Sequence, residues 1–177
     1  YCPGMENAKD GLTAFAQLVP TPFTKEEAAW SVLLDHLEIP TEKVTTFLKA
    51  WKVSNDFLRE CRELVWGLRQ RKMGYYTPMA LYRLGERALT VETLLTYYGR
   101  PGEAGRTALA LAQLPIRSLR QLAVNGNDLK QQFNQKAGPW LKDTLHYLEQ
   151  GVVESRFVND GPILLAEAEK FLKQDSE

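Results

Sequence analysis

Apolar residues recur every three or four positions through almost the whole chain, and no stretch of useful length alternates with the two-residue period of a half-buried strand. That pattern confines the 177 residues to an all-α fold. Roughly nine or ten helices are expected, in two halves without significant sheet. Gln121–Val124 comes nearest to a strand and is too short to matter. Apolar content of 44% and charged content of 25% are ordinary for a soluble globular chain. No apolar run approaches the roughly 18 residues of a membrane span, and no signal-peptide pattern opens the chain. Cys2 and Cys61 lie far apart without a CxxC spacing. A reduced cytoplasmic protein is the simplest expectation, with one disulfide between them left open. A chain that starts at Tyr1 rather than Met suggests a fragment, a processed product or an unrecorded start.

Cap and breaker residues divide the periodic pattern. Thr24 and Glu27 make a capping-box pattern ahead of Ala28, Ala29, Val32, Leu33 and Leu37, and Pro40 ends that segment. Thr41 is placed to cap a helix with Val44, Phe47, Leu48 and Trp51 on one face. Ser54 caps a longer one through Phe57, Leu58, Cys61, Leu64, Val65 and Leu68, with Arg59, Glu60, Arg62 and Glu63 outward. Thr77-Pro78 opens a helix that stops at Gly85, and Thr90 opens another that ends at Gly99. Arg100–Gly105 is the clearest linker, and a subdomain boundary is expected there. A helix through Leu109, Leu111 and Leu114 follows, then Pro115 and a helical hairpin. In the hairpin Asn127 or Asp128 caps the first helix, Gly126 supplies a position for positive φ, and Pro139 begins the second. Leu141, Leu145 and Leu148 make its apolar face. Asn159–Pro162 is a turn and cap before a last helix carrying Ile163, Leu164, Ala168, Phe171 and Leu172.

The net charge is zero but unevenly spread. Residues 52–87 carry +4 and residues 106–142 carry +5, while residues 1–51 carry −3 and residues 143–177 carry −5. Two basic belts between acidic ends suit local contact with a polyanion. The second belt comprises Arg106, Arg117, Arg120, Lys130, Lys136 and Lys142 against the single acid Asp128. Beside helix N-termini, whose N–H groups favour anions, it makes a seat for phosphates, and it reads equally as a solvated basic face. The first belt ends in Arg69, Arg71 and Lys72, followed by Tyr75 and Tyr76. Cations at a helix C-terminus complement its dipole, so that cluster has a structural reading beside one of phosphate contact and base stacking.

No catalytic centre is visible. Metal-assisted phosphoryl transfer needs carboxylates close together, and the chain has neither an Asp-x-Asp nor a Gly-Ser motif. Asp35-His36 and His146 are too few for a metal site, and Cys61 sits within an apolar helix face as a core thiol. No catalytic or metal-binding residue is therefore assigned.

Leu114-Pro-Ile116, Ser118, Leu122–Leu129, Gly138-Pro-Trp140 and Gly151-Val-Val153 resemble the tail of bacterial-type (class II) CCA-adding enzymes, which are tRNA nucleotidyltransferases. Tyr1–Met5 is similar to the end of that family's neck, and Phe47–Lys52 and Leu81–Glu86 to its body. The resemblance implies an end of neck over 1–20, a helical body over 21–99 and a tRNA-binding tail over 100–177. It implies an elongated C-terminal body and tail, inactive alone, that hold the tRNA elbow and acceptor-arm backbone while an N-terminal head, absent from this chain, adds C, C and A from CTP and ATP with Mg²⁺. No cofactor is expected in this chain. The candidate RNA contacts are Arg117, Arg120, Lys130 and Lys136, the backbone of Asn125, Gly126 and Asn127, and Arg69, Arg71 and Lys72. The alternative is an all-α interaction or dimerisation scaffold, meeting its partner through the acidic last helix and Tyr97-Tyr98.

Overall fold

A computed structural model of the chain describes residues 8–18 and 22–174, apart from the side chains of Ala8 and Gln174. The stretch Tyr1–Met5, Cys2 and any disulfide from it lie outside the described residues. Among the described residues there are ten α-helices and no strand. They are α1 (Ala8–Ala16), α2 (Glu26–His36), α3 (Thr41–Lys49), α4 (Asn55–Met73), α5 (Pro78–Leu84), α6 (Arg87–Leu94), α7 (Ala104–Ala112), α8 (Gly126–Phe133), α9 (Pro139–Val153) and α10 (Gly161–Gln174). Two short 3₁₀ turns, Leu95–Tyr98 and Leu119–Gln121, complete the set. No described helix is long and apolar enough to cross a membrane.

The chain forms two compact units: Tyr1–Tyr76 with Leu84–Leu111, and Thr77–Arg83 with Ala112–Glu177. The division differs from the boundary expected at Arg100–Gly105. Residues 103–107 are held in the first unit by Glu92, whose carboxylate accepts from the Glu103 N–H at 2.7 Å and from the Thr107 hydroxyl at 3.1 Å.

The first unit is built on α4. Ser54 caps it as expected, its Oγ accepting from the Phe57 N–H at 3.2 Å. Leu58, Cys61 and Val65 pack with Leu34, Leu37, Ile39, Val44 and Leu48 in one buried cluster. Several expectations are corrected around it. Lys25, not Thr24, is the N-cap of α2, and it makes no side-chain cap bond. Pro40 does not end α2 but stands as the N-cap of α3, because its fixed φ suits a helix entry; Thr41 becomes the first helical residue. The freed Thr41 hydroxyl accepts from Arg69 at 3.1 Å. Glu63 turns inward and is buried, held by Arg62 at 3.0 Å. Trp51 and Leu109, placed on apolar faces by the sequence pattern, are 59% and 67% exposed. α6 starts at Arg87, so Thr90 lies inside it. Gly85 and Gly99 stop their segments with φ of +55° and +65°, where a side chain is disfavoured.

Two buried carboxylates tie the helices of this unit together. Asp35 of α2 accepts from Arg69 at 3.2 Å, Lys72 at 2.6 Å and the Tyr98 hydroxyl at 2.7 Å. Glu92 of α6, with no exposed side-chain surface, accepts from Arg71 at 2.9 Å; Arg71 also binds Glu103. Burial pulls the Arg71 guanidinium down, but the Glu92 hydrogen bond and the charges of Glu92 and Glu103 hold it above its ordinary value. Burial, reinforced by the charge and hydrogen bond of Asp35, pushes the Tyr98 hydroxyl far above the usual tyrosine range, so it stays a donor. Tyr97 stacks on Phe23 at 4.3 Å, so both residues of the Tyr97-Tyr98 pair have partners within the unit.

The second unit has its own core of Ile116, Leu122, Val124, Leu129, Leu148, Val152, Val153, Leu164 and Ala168. Met79 and Tyr82 of α5 pack against it, and the Tyr82 hydroxyl donates to Glu149. Gly151 shows why its motif takes this form. A Cβ there would stand 2.1 Å from the Phe157 ring, so only glycine admits that ring, while Val152 and Val153 fill the core.

Removing one partner of a buried ion pair costs roughly 3–5 kcal/mol. Glu92→Ala is therefore expected to lower the urea midpoint steeply, while Asp56→Ala, in the exposed Asp56–Arg59 pair, leaves it nearly unmoved. Burial pushes the Cys61 thiol up to about 12. In a Cys2→Ser variant, a thiol reagent at pH 8 should leave Cys61 unmodified in the native chain and react once urea unfolds it; fast native labelling of that variant would show that Cys61 is not core.

Candidate nucleic-acid interface

Apart from Arg106, which belongs to the first unit, the second basic belt lies on the second unit, from Arg117 through the 3₁₀ turn Leu119–Gln121 and α8 to the start of α9. Asn159 secures the turn from a distance in sequence. Its side-chain amide donates to the Gln121 carbonyl at 2.8 Å, and its Oδ1 accepts from the Ala123 N–H at 2.7 Å. The Arg117 N–H donates to the Gln121 side chain at 2.7 Å. These bonds fix the backbone on which Arg117 and Arg120 stand. Asn159 was read only as part of a turn, because nothing local to it signals partners 36 and 38 residues away.

α8 is opened by a capping box centred on Asn125, not by Asn127 or Asp128. Asn125 Oδ1 accepts from the N–H groups of Asn127 at 2.8 Å and Asp128 at 3.3 Å. Asp128 returns a carboxylate oxygen to the Asn125 N–H at 2.8 Å. The cap must stand one residue outside the helix and reach forward two or three amides, and only Asn125 does so. Gly126 is the first helical residue, and positive φ among described glycines occurs at Gly85 and Gly99 instead. α8 ends at Asn134 with φ of +48°. Pro139 occupies the first turn of α9 as expected, and Trp140 is half-buried beside it. The Trp140 indole donates to the Lys136 carbonyl at 2.9 Å and meets Phe133 edge-on at 6.4 Å.

The two belts differ in how their charges are met. In the first, Arg59, Arg62, Arg69, Arg71, Lys72 and Arg87 all pair with carboxylates. Arg106 pairs with Glu103 at 3.2 Å and lies 3.8 Å from the Tyr75 ring centre; the Tyr76 hydroxyl donates to the Ala88 carbonyl within the core. In the second belt Arg117, Arg120, Lys136 and Lys142 are exposed and Lys130 is half-buried. None of these five side chains forms an ion pair among the described residues. The amides of Asn125, Asn127 and Asp128 are taken by the capping box, which also sets the Asp128 carboxylate among them. A cleft of about 490 Å³ opens beside it between α8 and the start of α10, lined by Asp128, Gln131, Gln132, Val124 and Leu165. His36 stacks on Tyr98 at 4.9 Å, and no group of three or more His, Cys, Asp or Glu gathers among the described residues as a metal site would require.

Comparison with known proteins places the chain in one context. Residues 21–168 match the family profile described as tRNA nucleotidyltransferase domain 2. The CCA-adding enzyme of Enterococcus faecalis is 36% identical over 171 residues, 96% of this chain and 42% of that protein. The CCA-adding enzyme of Limosilactobacillus reuteri is 30% identical over 98% of this chain and 43% of its own length. The chain thus spans less than half the length of these relatives. In three dimensions it is similar to the Bacillus stearothermophilus CCA-adding enzyme, crystallised in complex with CTP, with a TM-score of 0.84, 27% identity, and coverage of 99% of this chain and 45% of that one.

Loss of an N-cap side chain costs about 1 kcal/mol. Asn125→Ala should lower stability by that amount in a urea melt, and Asn127→Ala should not; equal effects would contradict the capping box.

Proposed function

The chain belongs to the tRNA nucleotidyltransferase family that includes the CCA-adding enzymes, and we propose that its second unit holds tRNA at the elbow through the phosphate backbone. The observation that carries this reading is that five cations of one sequence stretch, Arg117, Arg120, Lys130, Lys136 and Lys142, are left without carboxylate partners among the described residues of a chain with zero net charge. Cations held this way release condensed counterions when they meet phosphate, which drives binding. Recognition of A-form shape and backbone needs no base reading. Arg117 and Arg120 stand on backbone fixed by Asn159, so less order is lost on binding.

The same reasoning narrows the interface. Arg69, Arg71 and Lys72 are assigned to the fold of the first unit, since contact with phosphate would strip Asp35 and Glu92 of their partners. The backbone of Asn125–Asn127 is left out as well, because the Asn125 and Asn127 amides are taken by the cap and the Asp128 carboxylate beside Gly126 repels phosphate there. In the whole protein the reading is a CCA-adding tRNA nucleotidyltransferase that uses CTP, ATP and Mg²⁺, with nucleotide addition assigned to the parts of the relatives that this chain does not match.

Replacing Arg117 and Arg120 together by Ala should weaken tRNA binding and reduce its salt slope by roughly 1–2 in log–log form, since each phosphate contact contributes about 0.7–0.9. Anisotropy titrations at several salt concentrations measure both. Unchanged affinity and slope would remove the two arginines from the interface.

A further inference from the structure

We propose that Trp51, with Lys49 and Lys52, forms a second RNA contact in the first unit: a stacking platform for an unpaired nucleobase of a single-stranded segment. The proposal rests on the reading that the chain acts on RNA, and it uses no residue of the tail contact.

Trp51 follows the end of α3 and is the exposed member of the chain's four tryptophans; Trp30, Trp66 and Trp140 are half-buried. Its ring meets Trp30 at 5.2 Å with 65° between the planes, an edge contact that leaves ring face open and agrees with its 59% exposure. Lys49 and Lys52 flank it, both exposed and without an ion pair among the described residues. Lys52 is held at φ of +54°, a conformation that glycine adopts more readily, so a charged side chain stands where the backbone favours none. Of the acids around it, Asp56 is engaged by Arg59 at 2.8 Å, Glu42 of α3 lies in the first turn, at the other end of the helix, and Glu26 and Glu27 stand in the first turn of α2, before Trp30.

An open aromatic face between cations is the chemistry that binds single-stranded nucleic acid, with stacking on the base and charge on the backbone. Lysine is depleted in protein–protein interfaces, which surround an anchoring tryptophan with apolar contacts. A duplex offers no free base face, so the platform selects unpaired RNA.

The test uses ¹⁵N-labelled chain, whose four tryptophans give four indole N–H signals, with Trp51→Phe assigning the one that matters. It is titrated with an unstructured single-stranded RNA oligonucleotide and with a duplex of the same length. The expected result is a saturable shift of the Trp51 signal with the single strand and not with the duplex, retained in the Arg117→Ala/Arg120→Ala variant. Trp51→Ala should weaken oligonucleotide binding about tenfold, the low end of what one stacked base contributes. Lys49→Gln/Lys52→Gln, which alters no buried residue, should weaken it in the same direction with an unchanged melt. A Trp51 signal that stays fixed, or shifts equally with duplex, overturns the proposal. So does a signal that moves with protein concentration alone, which would assign this face to a second copy of the chain. Failure of the tail reading shows elsewhere, in an unaltered salt slope of the double arginine variant on tRNA.

Discussion

Charge in this chain is governed by where carboxylates are buried. Asp35 and Glu92 sit inside the first unit, and each is surrounded by donors from other helices: Arg69, Lys72 and Tyr98 for Asp35, and Arg71, Thr107 and the Glu103 amide for Glu92. A carboxylate in such a place is tolerated only when its lone pairs are met. The requirement fixes the C-terminal end of α4, where three of these cations stand, against α2 and α6. It also draws residues 103–107 into the unit. Apolar burial supplies most of the driving force, but these bonds set which faces meet.

The same rule separates two stretches that look alike in composition. Residues 52–87 and 106–142 carry +4 and +5. The first stretch meets carboxylates at nearly every turn, so little of its charge is free to act outside the fold. The second meets few: apart from Arg106, its cations have no ion pair among the described residues, and Arg117, Arg120 and Lys130 stand on backbone clamped by Asn159 or capped by Asn125. Charge on rigid backbone without an internal partner is what a polyanion ligand needs. Net charge of zero thus conceals a first belt met largely by its own carboxylates and a second belt left to a ligand.

Much of this was legible in the sequence because helix signals are local. Ser54, Thr77-Pro78, Gly85, Gly99, Pro139 and the Asn159–Pro162 turn all mark element ends where the structure has them. The misassigned caps fail for one reason. Thr24 and Thr41 have the right chemistry but stand one residue away from the N-cap position, and Asn127 stands two residues inside it. Long-range pairing left no such trace. Nothing near Arg69 or Arg71 points to Asp35 or Glu92, which lie 34 and 21 positions away, and so the two basic belts read as equals. Trp51 was placed on an apolar face by its period, and that pattern carries no information about a ring left open at a helix end. The tail motif was legible through resemblance, and Gly151 against Phe157 supplies its physical reason.

Whether the unpaired tail cations hold the tRNA elbow decides the function proposed for the second unit. The most direct measurement is a fluorescence-anisotropy titration of this chain with tRNA lacking its CCA end, set against an acceptor-stem hairpin without an elbow, at two salt concentrations. The expected result is tRNA binding that weakens steeply with salt and is largely lost with the hairpin. Equal affinity for the two RNAs, or tRNA binding indifferent to salt, would contradict it.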